Sequence, residues 1–218
     1  MNIFDIIGPV MVGPSSSHTA GAVRIGKVAR ELLGEEIMNA EILLFGSFLA
    51  TGKGHGTDKA IVAGLLGFDP DDRRIPESLD IAKARGMQCR FGSIDLGDAH
   101  PNSAKLHITS VTGKKLDITA ASVGGGRINV TEIDGVEAHF STECPTLIVR
   151  NDDKPGLVAN VTALLQKNQI NIATMQLYRS GRGDHAVMVI ECDEQVPGET
   201  AEELKGLDGI NEVIYYRG

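Results

Sequence analysis

The sequence predicts a mixed α/β (α+β) chain built as two domains in tandem. Three observations carry that reading. Short apolar runs of strand length alternate with amphipathic helical patterns up to Ser141. The pattern then restarts at Thr146 in a compact order: strand, helix, strand, strand, helix, strand. At 218 residues the chain is long enough for two modest cores.

In the first domain, Phe4, Ile6 and Ile7 lead into Gly-Pro turns at 8–9 and 13–14. A helix is expected over 20–33, with Val23, Val28, Leu32 and Leu33 apolar and Arg24, Lys27, Arg30 and Glu31 polar, stopping at Gly34. Residues 40–45 suit a strand by their length, and 46–52 follows with no element assigned. Residues 53–58 form a Gly/His loop before a second helix marked by Ile61, Val62, Leu65 and Leu66, with Thr57 or Asp58 as its natural cap. An acidic surface connection at 68–76 precedes a short helix over 77–85, closed by Gly86. Strands follow at 88–93 and 104–110, then a hairpin turn at Thr112-Gly113. A strand at 116–123 runs into Gly124-Gly125-Gly126, and 127–133 turns at Asp134-Gly135 into 136–141.

The second domain reads as strand 146–149, turn 151–156, helix 157–167, strands 170–179 and 186–192, helix 200–207 and strand 210–216. The order βαββαβ is the ferredoxin-like plan, one antiparallel sheet with two helices on one face. A unit of about 70 residues can only just hold its own core, which favours pairing with a second copy.

Composition excludes several function classes. Aromatic residues are 4% of the chain with no Trp, so base stacking on aromatic platforms is not suggested. A formal charge of −8 argues against a nucleic-acid partner, which calls for a basic face. Cys89, Cys144 and Cys192 are far apart with no C-x-x-C spacing, so a metal or cluster site made by this chain alone is not expected. They read as small buried apolar residues, and their odd number and scatter fit a reducing compartment, hence the cytoplasm. The apolar stretch 3–12 has no preceding Lys or Arg and is broken by Gly8-Pro9, so neither a signal peptide nor a membrane span is expected.

The densest chemistry lies in Gly13-Pro14-Ser15-Ser16-Ser17-His18-Thr19-Ala20-Gly21. It sets four hydroxyls and an imidazole between glycines where a helix begins. Unpaired N–H groups and the positive dipole end favour a carboxylate or phosphate there, although serines also serve simply as caps. A second imidazole, His55, is framed by Gly54 and Gly56, and a third, His100, precedes Pro101. Gly124, Gly125 and Gly126 imply a bulge or a backbone that something approaches closely. Adjacent Ser17-His18 is a poor hydrolase pair, and no G-x-S-x-G elbow is present. A mononuclear metal on His18, His55 and His100 would lack carboxylates at ligand spacing. His107, His139 and His185 sit in strand or hairpin patterns and are assigned no role.

These residues carry a resemblance. Phe4-Asp5-Ile6-Ile7-Gly8-Pro9-Val10, the 13–21 stretch, Gly54-His55-Gly56-Thr57-Asp58, His100-Pro101-Asn102 and Gly124-Gly125-Gly126 together resemble the β chain of iron–sulfur L-serine dehydratases (L-serine deaminases), over residues 3–141. Asn151-Asp152-Asp153-Lys154-Pro155-Gly156, followed by Asn171-Ile172-Ala173-Thr174, resembles an ACT domain, a module that binds amino acids, often where two copies meet. The resemblance implies a serine dehydratase β-chain domain over 1–143, of the allosteric-substrate-binding kind, and an ACT domain over 146–218. The first is also similar to an intervening domain of some phosphoglycerate dehydrogenases.

The resemblance further implies a lyase of amino-acid catabolism that turns L-serine into pyruvate, a gluconeogenic precursor, and ammonia. It implies a [4Fe–4S] cluster whose ligands lie on a separate cysteine-rich α chain, so that this chain alone is inactive and works in a hetero-oligomer containing a homodimer of itself. By the same resemblance His18 and His55 are the catalytic pair, and the sequence leaves open which takes the proton. Ser15, Ser16, Ser17, Thr19, His100, Gly124, Gly125 and Gly126 would bind substrate. Asn151, Asp153, Gly156 and Asn171 would hold an effector, Asp153 standing where serine-binding relatives carry Asn. Beside this reading stands a non-catalytic amino-acid sensor, which would change assembly state on binding without needing any cluster.

Overall fold

The computed structural model describes residues 10–179 and 181–218, so residues 4–9 of the first motif lie outside the described residues. The chain divides into two compact units between Gly135 and Val136.

In the first unit a π-helical turn, Ser16–Gly21, runs without a break into α1 (Ala22–Leu33). Helical structure therefore starts inside the stretch that reads as a loop. Gly34, left-handed at φ 75°, ends α1 as its composition predicts. Next come β1 (Ile37–Leu44), α2 (Gly46–His55), α3 (Thr57–Leu65), a 3-10 turn (Ile75–Glu77) and α4 (Ser78–Ala84). The strands β2 (Gln88–Ser93), β3 (Ser103–Ser110), β4 (Lys115–Gly124) and β5 (Arg127–Ile133) complete the unit. They hydrogen-bond in the order β2-β1-β3-β4-β5, with β1 parallel to β2 and antiparallel to β3.

Alternation sorts the faces. On β3, Leu106 and Ile108 are buried with Ile25, Leu33, Ile61 and Leu65 of α1 and α3, while Lys105, His107 and Thr109 face outward. Lys105 pairs with Glu132 at 2.6 Å and His107 with Asp117 at 2.8 Å on that outer face.

One element differs from the sequence reading. The 46–52 stretch is the first part of helix α2, and the 53–58 cluster holds the end of α2 and the start of α3. Gly46, Gly52 and Gly54 lower helix propensity and so read as loop. The single left-handed residue Gly56, φ 71°, is the whole joint between the two helices. The N-cap position of α3 falls to Gly56, which has no side chain to offer, while Asp58 sits inside the first turn and takes the Lys59 N–H on its Oδ1 at 2.9 Å.

The second unit opens with β6 (Val136–Phe140), which packs with β8 and β9. It continues with β7 (Thr146–Asp152), α5 (Leu157–Lys167), β8 (Ile172–Arg179), β9 (His185–Cys192), α6 (Gly198–Lys205) and β10 (Ile210–Tyr216). The four strands after β6 form an antiparallel sheet in the order β10-β7-β9-β8, the ferredoxin-like topology expected. Leu147, Val149, Val161, Leu165, Met188 and Ile190 anchor its core.

Candidate functional site

The site grows from two local structures that meet side chain to side chain. In the first, Ser15 is the N-cap of the π-helical turn: its Oγ accepts from the His18 N–H at 3.2 Å, and its carbonyl accepts from the Thr19 N–H at 2.8 Å. Such turns are rare, and frequent at functional sites when they do occur. This one fixes where the His18 ring emerges.

The second structure is one face of α2. Ser47, Thr51 and His55 follow one another at i, i+4 and i+8, so they line a single stripe. The His18 ring lies on that stripe. Its Nε2 is 3.0 Å from Thr51 Oγ1 and 3.3 Å from Ser47 Oγ. The edge of the buried Phe48 ring closes one side, at 5.2 Å between centroids and 64° between planes. The His55 ring lies 4.9 Å away, tilted 37°. Its Nδ1 meets the Thr51 carbonyl at 3.1 Å.

Burial holds the His18 imidazole below its ordinary pKa of 6.5, and the neighbouring His55 acts in the same direction; the Ser47 carbonyl, accepting from the ring, partly opposes them. The balance favours the neutral form of His18. A neutral imidazole beside a second one can accept a proton and pass it on.

The remaining predicted residues have the following surroundings. Ser16 and Ser17 are half-buried in the π-helical turn. Thr19 is 2% exposed and turns toward Gly13, where a Cβ would stand 2.4 Å from its Oγ1. His100 is exposed, and its Nδ1 accepts from the Asn102 N–H at 3.2 Å. Its neighbour Pro101 supplies the carbonyl that takes the Ser47 and Phe48 N–H groups at 2.7 and 3.4 Å, closing the N-terminus of α2. Gly124, Gly125 and Gly126, all left-handed, make the β4–β5 turn. Directly before it, Ser122 meets Gly21 so closely that a Cβ there would stand 2.0 Å from Ser122 Oγ. The 13–21 stretch thus adjoins both α2 and the β4 end, and His18 and His55 touch.

Sequence reasoning misses Ser47 and Thr51, because it gives 46–52 no helix. The signal was there: Ser47, Thr51 and His55 share a four-residue spacing that only a helix turns into one face.

In the second unit the four predicted effector residues separate into two groups. Asn151 and Asp153 lie at the end of the sheet where Asn151 pairs with Ala186, and Gly156 begins α5 in the left-handed region nearby. Asn171 precedes Ile172, which pairs with Cys192 at the opposite end. Asn151 gives its Nδ2 proton to the Asp152 carbonyl, and its buried Oδ1 has no partner among the described residues. Asn171 donates to Asp193 and Glu194.

The donor set of this chain does not fit an iron–sulfur cluster, whose ligands are thiolates. Burial pushes the Cys89 thiol up. Cys192, inside the second core, is pushed up to about 11 by burial, helped by Glu194 and Asp193. Among the described residues no three His, Cys, Asp or Glu side chains gather as a metal would need.

Comparison with known proteins gives this geometry its context. A family model described as the serine dehydratase beta chain matches residues 2–89, and one described as the ACT domain matches residues 145–209. The probable L-serine dehydratase beta chain of Bacillus subtilis (strain 168) is 45% identical over 212 residues, 97% of this chain and 96% of that one. The L-serine dehydratase beta chain of Peptoniphilus asaccharolyticus is 35% identical over 213 residues, 97% of this chain and 96% of that one. A D-3-phosphoglycerate dehydrogenase of Archaeoglobus fulgidus is 27% identical over 199 residues, which are 89% of this chain but 37% of that enzyme.

Proposed function

The chain belongs to the L-serine dehydratase beta-chain family and carries an ACT domain at its C-terminal end, and from that premise we propose that it is one half of a two-chain L-serine ammonia-lyase. The observation that carries this reading is the pair of touching imidazoles, His18 and His55, held on one face of α2. We place the domain limits at 1–143 and 146–218.

The reaction removes water from L-serine. The Cα–H bond breaks and its proton goes to Nε2 of His55, the ring nitrogen left open when Nδ1 bonds the Thr51 carbonyl. The released electron pair forms the Cα=Cβ double bond as the Cβ–O bond breaks. The departing hydroxide takes a proton from solvent and leaves as water, and His55 gives its proton back to solvent. The enamine tautomerises to an imine, and a water molecule splits it into pyruvate and ammonia. Neutral His18 stands beside this transfer as hydrogen-bond partner to the substrate. Ser15, Ser16, Ser17, Thr19, His100 and the Gly124, Gly125 and Gly126 backbone form the proposed wall around it.

A [4Fe–4S] cluster held by the cysteine-rich α chain, which would act as Lewis acid on the hydroxyl, belongs to the same proposal. The complex would work in the cytoplasm. An amino acid at the ACT domain would regulate it. Because Asn171 and the Asn151–Asp153–Gly156 group lie at opposite ends of the sheet, a pocket using both needs two copies.

One observation favours a second reading, a non-catalytic amino-acid sensor. Most of this chain matches little more than a third of a D-3-phosphoglycerate dehydrogenase, so a similar stretch accompanies an enzyme of a different name.

The deciding experiment is anaerobic co-expression with a cysteine-rich α chain of the family, with pyruvate release from L-serine as readout. The pair, each chain alone, His18→Ala and His55→Ala are compared. Activity in the pair only, lost in both variants, is expected. An inactive pair with a loaded cluster would favour the sensor, and full activity in both variants would overturn the assignment of the site.

A further inference from the structure

We infer that Thr51 is a positioning residue that sets, through two different atoms, which nitrogen of each histidine carries the proton. The inference rests on His18 and His55 being the groups that face the substrate.

A hydroxyl has one proton to give. Thr51 Oγ1 lies 2.9 Å from the Ser47 carbonyl, which can only accept, so that is where its proton goes. The same oxygen is 3.0 Å from His18 Nε2. In that second contact Thr51 must accept, so the His18 proton sits on Nε2 and the lone pair on Nδ1. Ser47 Oγ, 3.3 Å away, is a further acceptor for that N–H. The Thr51 carbonyl, 3.1 Å from His55 Nδ1, also only accepts. The His55 proton therefore sits on Nδ1 and the lone pair on Nε2.

One residue thus gives the two rings opposite tautomers. The spacing is dictated by the helix, since Ser47, Thr51 and His55 are successive members of one stripe. Thr51 is itself exposed, so its hydroxyl is not serving the core. A histidine that shares its proton with a fixed acceptor keeps both ring orientation and basicity, which is why such partners matter to catalysis without touching substrate.

The test uses the full-length chain labelled with 15N, read by long-range 1H–15N spectra of the histidines above pH 7. The wild type should show His18 protonated on Nε2 and His55 on Nδ1. Thr51→Val keeps the shape and the carbonyl but removes the hydroxyl. His18 should then shift part of the way toward the Nδ1-protonated tautomer, since Ser47 still accepts from Nε2, while His55 stays as it was, and Thr51→Ser should restore the wild-type spectrum. Thr51→Ala repeats the deletion without the β-branch.

In the assembled enzyme, Thr51→Val should lose on the order of ten- to a hundredfold in kcat with a smaller change in KM, and Thr51→Ser should stay near wild type. A His18 tautomer identical in wild type and Thr51→Val overturns the inference, whatever the activity. A changed tautomer with an unchanged kcat upholds the positioning and overturns the placing of His18 in the chemistry.

Discussion

Gly26 on α1 and Gly64 on α3 lie Cα against Cα. A Cβ on Gly26 would stand 3.0 Å from the Gly64 Cα and 2.1 Å from the Ile61 carbonyl oxygen. A Cβ on Gly64 would stand 2.9 Å from the Gly26 Cα and 1.9 Å from the Val23 carbonyl oxygen. The obstacles are backbone atoms, so neither helix can yield by turning a side chain. Since α1 continues the His18 turn and α3 follows the His55–Gly56 joint, this crossing also anchors the elements that carry the two histidines.

Alanine at either glycine should destabilise the chain by about 1–3 kcal/mol, the usual cost of overpacking, despite the better helix propensity of Ala. Urea unfolding of Gly26→Ala and Gly64→Ala measures it. An unchanged midpoint in both would mean that the helices do not meet at these residues.

The His18–His55 contact makes a prediction about charge. His18 is held below 6.5 by burial first, and in part by repulsion from protonated His55. The folded state therefore binds fewer protons at this position than the unfolded chain. Stability linked to His18 is complete above pH 6.5 and declines as pH falls from there through the lowered folded pKa. An NMR titration of His18 should give a midpoint below 6.5. In His55→Ala that midpoint should rise only part of the way back, because burial, the larger cause, remains. A midpoint at or above 6.5 in the wild type would contradict the arrangement.

The sequence made the fold legible wherever a period and a stop signal coincided. Residues 127–133, 157–167 and 210–216 match β5, α5 and β10 to the residue, each bounded by glycine, proline or a turn. It hid α2, because glycine is read as loop from local propensity, while tertiary packing holds Gly52 in the helix against Thr57. The site was half legible for the same reason. His18 and His55 stand out as imidazoles among glycines, but their common support, Ser47 and Thr51, shows only once 46–55 is seen as a helix. Nothing along the chain announces that His18 and His55 are in contact; that requires the π-helical turn and α2 to be placed in space. In the second unit the family resemblance groups Asn171 with Asn151 and Asp153, and only the strand pairing reveals that they lie at opposite ends of the sheet.

Asp153 supplies the last prediction. Its Oδ2 accepts from the Gly183 N–H at 2.8 Å and from Arg179 at 3.1 Å, while its own N–H donates to the Asp184 carbonyl at 3.0 Å. The carboxylate thereby ties the β7–α5 turn to the β8–β9 connection, where Gly183 adopts φ 78°. The Gly183 amide first, and Arg179 after it, hold the carboxyl below its ordinary pKa of 3.8. The tie is intact above that pH and is lost as pH falls through the lowered folded value. The Gly183 amide shift should therefore titrate with a midpoint under 3.8. In Asp153→Ala the amide should exchange with solvent faster than in the wild type. Asp153→Asn should fall between, because an amide oxygen can still accept from Gly183 but no longer attracts the Arg179 charge. That difference gives a physical reason for Asp at this position in place of Asn. Equal exchange in all three proteins would mean that Asp153 ties nothing and is free to meet an effector.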